Sequence, residues 1–144
     1  MKTNPILRAA LLAASICVVG IAAARSAIMR ELPRRSIPGL FKPLSVDELH
    51  HAIVAGGATD DWRPAADQPG VVTLARNSGA GGHLAVVDVL YDAQGWQIVY
   101  RSSDALDYKH TDEGPQINPK YNKWIVALET DIRHAIADTL AAQH

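Results

Sequence analysis

The sequence predicts an α+β domain of order α-β-β-β-α, a three-stranded antiparallel meander with both helices packed on one face. Three observations predict it. A helix signature opens at Ser45, three β-branched runs joined by short turn-rich connections follow, and an apolar pattern of period near 3.6 closes the chain.

Ser45-Val46-Asp47-Glu48 has the form of a capping box, in which the serine hydroxyl accepts from the Glu48 backbone N–H and the Glu48 carboxylate reaches back. Val46, Leu49, Ala52 and Ile53 then share a helical face, and Gly56-Gly57 is the expected stop. A loop with Asp60, Asp61, Pro64 and Pro69 follows. Val71 to Arg76, Leu84 to Tyr91 and Trp96 to Ser102 read as strands, separated by a Gly-rich turn at 77–82 and by Asp92-Ala93-Gln94-Gly95. Connections this short imply antiparallel pairing. Ala85, Val87, Val89 and Tyr91 form one apolar face, as do Trp96, Ile98 and Tyr100, while Gln97, Val99 and Arg101 take the other. Asn118-Pro119 supplies an N-cap side chain and a proline at the first helical position. From there Tyr121, Trp124, Ile125, Leu128, Ile132, Ile136 and Leu140 recur at helical spacing.

The chain of 144 residues is 48% hydrophobic and 20% charged, which suits one ordinary domain and excludes a disordered polyelectrolyte, a disulfide scaffold and a multi-pass membrane protein. The formal net charge of -1 conceals an asymmetry: residues 1–44 carry +6 and residues 45–144 carry -7. An acidic globular part is a poor match for phosphate backbones, so no nucleic-acid partner is expected.

The chain divides into a signal peptide or signal anchor (1–24), a basic, Pro-containing linker (25–44) and the α+β domain (45–144). Ala9 to Ala24 is an uncharged run between Arg8 and Arg25 that spans about 24 Å as a helix, short of the roughly 30 Å hydrocarbon core. Lys2 and Arg8 before it and Ala22-Ala23-Ala24 at its end fit a cleaved secretory signal. An uncleaved anchor needs only slight bilayer thinning, and the four arginines after the run would by themselves put the domain in the cytoplasm. A mitochondrial transit peptide shares the acid-free, arginine-bearing start but is amphipathic, whereas this run is apolar all round. Cys17, the sole cysteine, lies inside the run and follows Ala14-Ser15-Ile16, a weak fit to a lipidation site. Pro33, Pro38, Gly39 and Pro43 mark 25–44 as an extended linker or arm, whose charge either rests on anionic headgroups or is simply solvated.

No G-x-S-x-G, Walker-type loop or H-E-x-x-H occurs, and no cofactor is expected. Gly79-Ala80-Gly81-Gly82 lies between strands rather than before a helix, so it lacks the dipole of a phosphate cradle. His50 and His51 are adjacent and diverge on a helix; Asp47 and His51, at i and i+4, make at most a two-ligand ion site. His83, His110, His134 and His144 are scattered, and nothing positions Asp107 with His110 as an acid–base pair. The unusual stretch runs from Tyr100 to Trp124: after the last strand a loop of about fifteen residues holding Leu106 and Tyr108 leads to Asn118, and it either packs down or forms a binding surface.

Ser102-Ser103-x-x-Leu106-x-Tyr108 and Ile117-x-x-x-Tyr121-Asn122-x-Trp124-Ile125-x-x-Leu128-x-x-x-Ile132 resemble the pattern of small, uncharacterised envelope proteins of proteobacteria, many of them described as lipoproteins. The resemblance spans roughly residues 45 to 140 and is most specific in the last third. It implies an exported domain and brings no established activity. The chain departs from the pattern in having Asn118 where members often have histidine, and in lacking a clear lipidation cysteine.

The function expected is therefore non-catalytic: a periplasmic domain, or one anchored in the inner membrane and facing the periplasm, that binds a protein or cell-envelope component. The candidate surface is Arg101, Ser102, Ser103, Tyr108, Tyr121, Asn122 and Trp124, with membrane contact through residues 1–44. A metal or small-cation binder of the envelope, using Asp47, His51 or neighbouring histidines, is the alternative.

Overall fold

In the computed structural model, which describes residues 26–38 and 42–143, the capping box at Ser45 forms as the sequence predicts. Ser45 Oγ accepts from the Glu48 N–H at 3.1 Å, and the Ser45 N–H donates to Glu48 Oε2 at 2.8 Å. Helix α1 (Val46–Thr59) does not stop at Gly56-Gly57. Both glycines lie buried inside it: α2 (Pro119–Ala141) crosses so closely that a Cβ on Gly56 would stand 2.6 Å from Ile132 Cα, while one on Gly57 would stand 3.1 Å from the Leu74 side chain. Gly56 marks a helix contact and Gly57 a contact with Leu74 and Trp62, and the chain turns only at Asp60 and at Asp61, which adopts φ 62°.

Two sheets follow, not one meander. The three expected strands are β4 (Val71–Asn77), β5 (Leu84–Asp92) and β6 (Gly95–Asp104), the centre of a five-stranded antiparallel sheet of order β2-β6-β5-β4-β3. Its outer members are β2 (Arg35–Ser36), from the basic segment, and β3 (Arg63–Gln68), from the stretch expected to be a loop. Pro64 is compatible with β3 because this is an edge strand, exposed throughout and bulged between Pro64 and Ala66. The second sheet, β1-β8-β7, joins β1 (Ala27–Ile28) to the hairpin β7 (Lys109–Thr111) and β8 (Gly114–Ile117) within the long loop. The fold is thus α+β, with a topology richer than α-β-β-β-α.

Register puts Val72, Val89 and Ile98 in one row, Leu74, Val87 and Tyr100 in the next, and Tyr91 opposite Trp96. That face merges with Leu49 and Ile53 of α1 and with Tyr121, Ile125, Leu128 and Ile132 of α2 into one core. Leu106 is driven into the same core by a turn in which its neighbours Ala105 and Asp107 both take positive φ, 56° and 53°. The Leu106 carbonyl accepts the Asn118 N–H at 2.8 Å, so the turn after β6 fixes the start of α2. Asn118 caps α2 by accepting from the Lys120 N–H at 2.9 Å.

The basic segment is extended, as expected, and its described part is not a free spacer. Residues 26–38 run as a strap from the edge of the smaller sheet at β1 to the edge of the larger sheet at β2, burying Met29 and Leu32 on the way. The strap's backbone is bonded at both ends: Met29 N–H donates to Pro115 O at 2.8 Å, and Ile37 N–H to Gln94 O at 3.1 Å. Residues 1–24, read as signal or anchor, lie outside the described residues, and Cys17 with them. No helix among the described residues is long and apolar enough to cross a membrane.

Two expectations follow from the helices. Gly56→Ala gains about 1 kcal/mol of helix propensity but must part α1 from α2, so it destabilises by about 1–3 kcal/mol net, read as a lower urea midpoint at unchanged slope. Hydrogen bonds from the Ser45 backbone and hydroxyl, in that order, hold the Glu48 carboxyl below the ordinary glutamate range. A group so lowered stabilises above its unfolded range, and that contribution drains away as pH falls through its folded value. Glu48→Gln keeps a side chain that reaches Ser45 but cannot titrate. Its melting temperature therefore falls less steeply than that of the parent chain on acidification below the ordinary glutamate range.

Candidate functional site

The expected surface residues all lie on β6, on the loop after it or on the first turns of α2, but the structure divides them among three environments. A bulge in β6 separates them first. Val86 pairs with Ser102 and Val87 with Tyr100, which leaves Arg101 as the extra residue. Arg101 and Ser102 are exposed toward the sheet face that carries no helix. There Arg101 reaches both carboxylate oxygens of Asp88 at 3.1 and 3.2 Å, and Thr73 Oγ1 donates to Asp88 Oδ1 at 2.6 Å.

Ser103, past the bulge, turns to the helix side and joins an aromatic cluster. Tyr100 Oη and Ser103 Oγ are 2.9 Å apart, the rings of Tyr100 and Tyr108 stack at 4.6 Å, and Tyr121 meets Tyr100 edge-on at 5.6 Å. Tyr108 Oη lies 3.1 Å from His110 Nε2. Tyr121 is 1% exposed, so it belongs to the core and cannot offer a contact face. Burial, aided by the neighbouring Tyr100 phenol, pushes the Tyr121 hydroxyl well above the usual tyrosine range and keeps it protonated.

Asn122 and Trp124 have structural duties. Asn122 acts as a backbone substitute: its Oδ1 accepts the Arg30 N–H at 2.8 Å and its Nδ2 donates to the Ile28 carbonyl at 2.9 Å, as a paired strand would. Farther along the strap, Gln97 Nε2 donates to Leu32 O at 3.1 Å, and Arg35 pairs with Glu129 at 2.7 Å. Glu129 is almost fully covered, which makes that ion pair obligatory, whereas the exposed Arg34–Asp92 pair at 2.6 Å is worth little. Trp124 is half-buried, with the Arg76 guanidinium 4.6 Å from its ring centroid; Arg76 itself is bonded to Asp60.

The imidazoles are locally engaged. His51 Nδ1 is 2.7 Å from the Asp47 backbone oxygen, and His50 Nε2 is 2.6 Å from Asp67 Oδ2. Among the described residues no three His, Cys, Asp or Glu side chains converge on a point where an ion could sit. Asp107 has positive φ in the turn that buries Leu106, and His110 faces Tyr108.

Sequence reasoning missed the outer face of the larger sheet. Register places Val71, Leu84, Val86, Leu90 and Val99 there around the Thr73–Asp88–Arg101 network, and Leu90 and Val99 are each 38% exposed. The signal was present in the second apolar set of β5, Leu84, Val86 and Leu90, which alternates with the core set. Gln97, half-buried next to Val99, bounds this face at the strap.

Asn122 can be tested by charge. Asn122→Ala loses both bonds to the strap and destabilises by about 1–3 kcal/mol. Asn122→Asp keeps the acceptor for Arg30 but sets a carboxylate against the Ile28 carbonyl, so at neutral pH it is at least as unstable as the alanine variant. Protonation restores a donor to Ile28, which raises the folded-state pKa of the new group. Its benefit is therefore present at low pH and lost as pH rises through that value. Denaturation midpoints of the two variants against pH show the aspartate variant overtaking the alanine variant on acidification.

No family model, no curated protein and no solved structure matches the chain.

Proposed function

We propose that the chain is a non-catalytic binding domain of the cell envelope that engages a protein or envelope component through the outer face of its five-stranded sheet. The observation that carries this reading is the exposure of Leu90 and Val99 beside Arg101, on a face that no described element covers. Apolar groups rimmed by a guanidinium are the composition of a binding patch: aliphatic area supplies desolvation, and arginine supplies orientation through its planar donors. Asp88 holds Arg101 at fixed distance, so little side-chain freedom is lost when a partner docks.

The envelope assignment draws support from the apolar run Ala9 to Ala24, its basic start, and Ala22-Ala23-Ala24. The domain that follows contains no cysteine, which suits an oxidising compartment. In this reading the strap leads directly from the export segment into the fold, and the outer face is presented on the periplasmic side.

Photo-crosslinking in cells tests both parts. With a photoreactive residue at Val99 in the full chain, an adduct forms in the envelope fraction, while the same group at exposed His134 on α2 gives none. Arg101→Ala reduces the Val99 adduct about 5- to 10-fold, the loss expected for one central interface residue. Equal labelling at Val99 and His134 contradicts the surface, and an adduct confined to the cytoplasm contradicts the compartment.

A further inference from the structure

Between β2, Trp96 of β6 and the C-terminal half of α2 lies a pocket of about 170 Å³. The buried side chains of Trp96, Ile136 and Leu140, with Ile37 and Pro38 of the strap, give it apolar walls. Among the described residues the charged side chains that line it are two arginines, Arg35 and Arg133, and no carboxylate.

The charge of these arginines is only partly offset. Arg35 gives one nitrogen, Nη2, to Glu129, a carboxylate that is almost fully covered and does not line the pocket. The Arg35 Nε is buried without a partner, and the side chain as a whole remains 41% exposed. Arg133 is exposed and has no ion-pair partner among the described residues. In a domain whose residues 45–144 carry -7, two arginines at one apolar pocket stand out as a place for an anion.

The walls and the rim together describe a ligand with an anionic head and an apolar body. Guanidinium donors match carboxylate oxygens, and the aromatic and aliphatic walls match hydrocarbon. An apolar cavity of about 150 Å³ holds benzene, so the volume here takes a body of about six carbons. Arg133 precedes Leu140 by about 10 Å along α2, which separates the head from the tail and keeps the head away from the partially negative C-terminus of that helix. Besides the arginines, Ser36 is the one polar side chain of the lining among the described residues, so the amides of a peptide find few partners here, whereas an alkyl chain needs none.

We propose that this pocket binds an unbranched alkyl carboxylate of the fatty-acid class, its carboxylate held by Arg35 and Arg133 and its chain packed against Trp96, Ile136 and Leu140. The site stands apart from the outer-face reading and survives its failure.

Titration of the isotope-labelled full chain with hexanoate and with 1-hexanol, followed by backbone amide shifts, tests the proposal. Both probes shift the amides of Arg35–Ile37 and Arg133–Leu140 saturably, and hexanoate binds about 10-fold tighter, since each of two partly exposed ion pairs supplies roughly 3-fold. Arg133→Gln, an exposed substitution that leaves the Arg35–Glu129 pair in place, lowers the preference to about 3-fold with hexanol affinity unchanged. Ala137→Phe, which fills the pocket from an exposed position, abolishes both. Absence of saturable shifts at these residues, equal affinities in the parent chain, or a preference that Arg133→Gln leaves intact each overturns the proposal. So does tighter binding of N-acetyl-leucine than of hexanoate, which assigns the pocket to a protein C-terminus. Binding that appears only after Leu40 and Phe41 are both replaced by serine overturns it as well, because the chain's own residues then take the pocket.

Discussion

The fork of Asn122 is the contact on which the rest of the architecture depends. One carboxamide on the second turn of α2 both accepts from and donates to the strap, at Arg30 and at the Ile28 carbonyl, where the short pairing of β1 with β8 ends. Backbone N–H and C=O groups taken from water must find partners. Between its two-residue pairings with β8 and β6 the strap finds them on side chains: Asn122 first, then Gln97 at Leu32. Because Asn122 sits on a helix whose start is fixed by Asn118 and by the Leu106 carbonyl, the two sheets, the strap and α2 are positioned together.

That arrangement gives β6 two unlike sides. Toward the outer face, the bulge at Arg101 and the carboxylate of Asp88 hold a guanidinium among Leu90 and Val99. Toward the strap, Pro33 lacks the N–H that would continue the β2 pairing, and the strap diverges from β6 beyond Trp96. The gap so left is crossed by the Gln97–Leu32 hydrogen bond and flanked by Met29, Leu32, Tyr100 and Tyr121, and it remains a cavity. The short ladder at β2 and the unfilled volume beside it thus have one cause.

What the sequence made legible was whatever has a local cause. The capping box at Ser45, the Asn118-Pro119 start, the three central strands and the 3.6-period face of α2 are each encoded within a few residues, and each is present. What it hid depends on contacts remote in the chain. Gly56-Gly57 carries the local mark of a helix end and means close packing only once Ile132 is beside Gly56 and Leu74 beside Gly57. Pro64 marks a loop locally but is compatible with an edge strand. The strap has no periodicity because its order comes from Asn122 and Glu129, more than ninety positions away. Of the seven residues expected to form one surface, Arg101 and Ser102 face outward, Ser103, Tyr108 and Tyr121 join the aromatic cluster, and Asn122 and Trp124 hold the fold together. Their shared spacing reflects packing around the β6–α2 corner.

Hydrogen exchange resolved at single amides of the full chain tests the central claim most directly. If the strap is a structural member, the N–H groups of Met29, Arg30 and Ile37 exchange slowly, on the timescale of the amides in β5, because opening them requires breaking the corner. Exchange of those three at the rate of an unstructured peptide, with β5 still protected, would show that the strap is an attached linker and that neither the Asn122 fork nor the cavity it closes belongs to the native state.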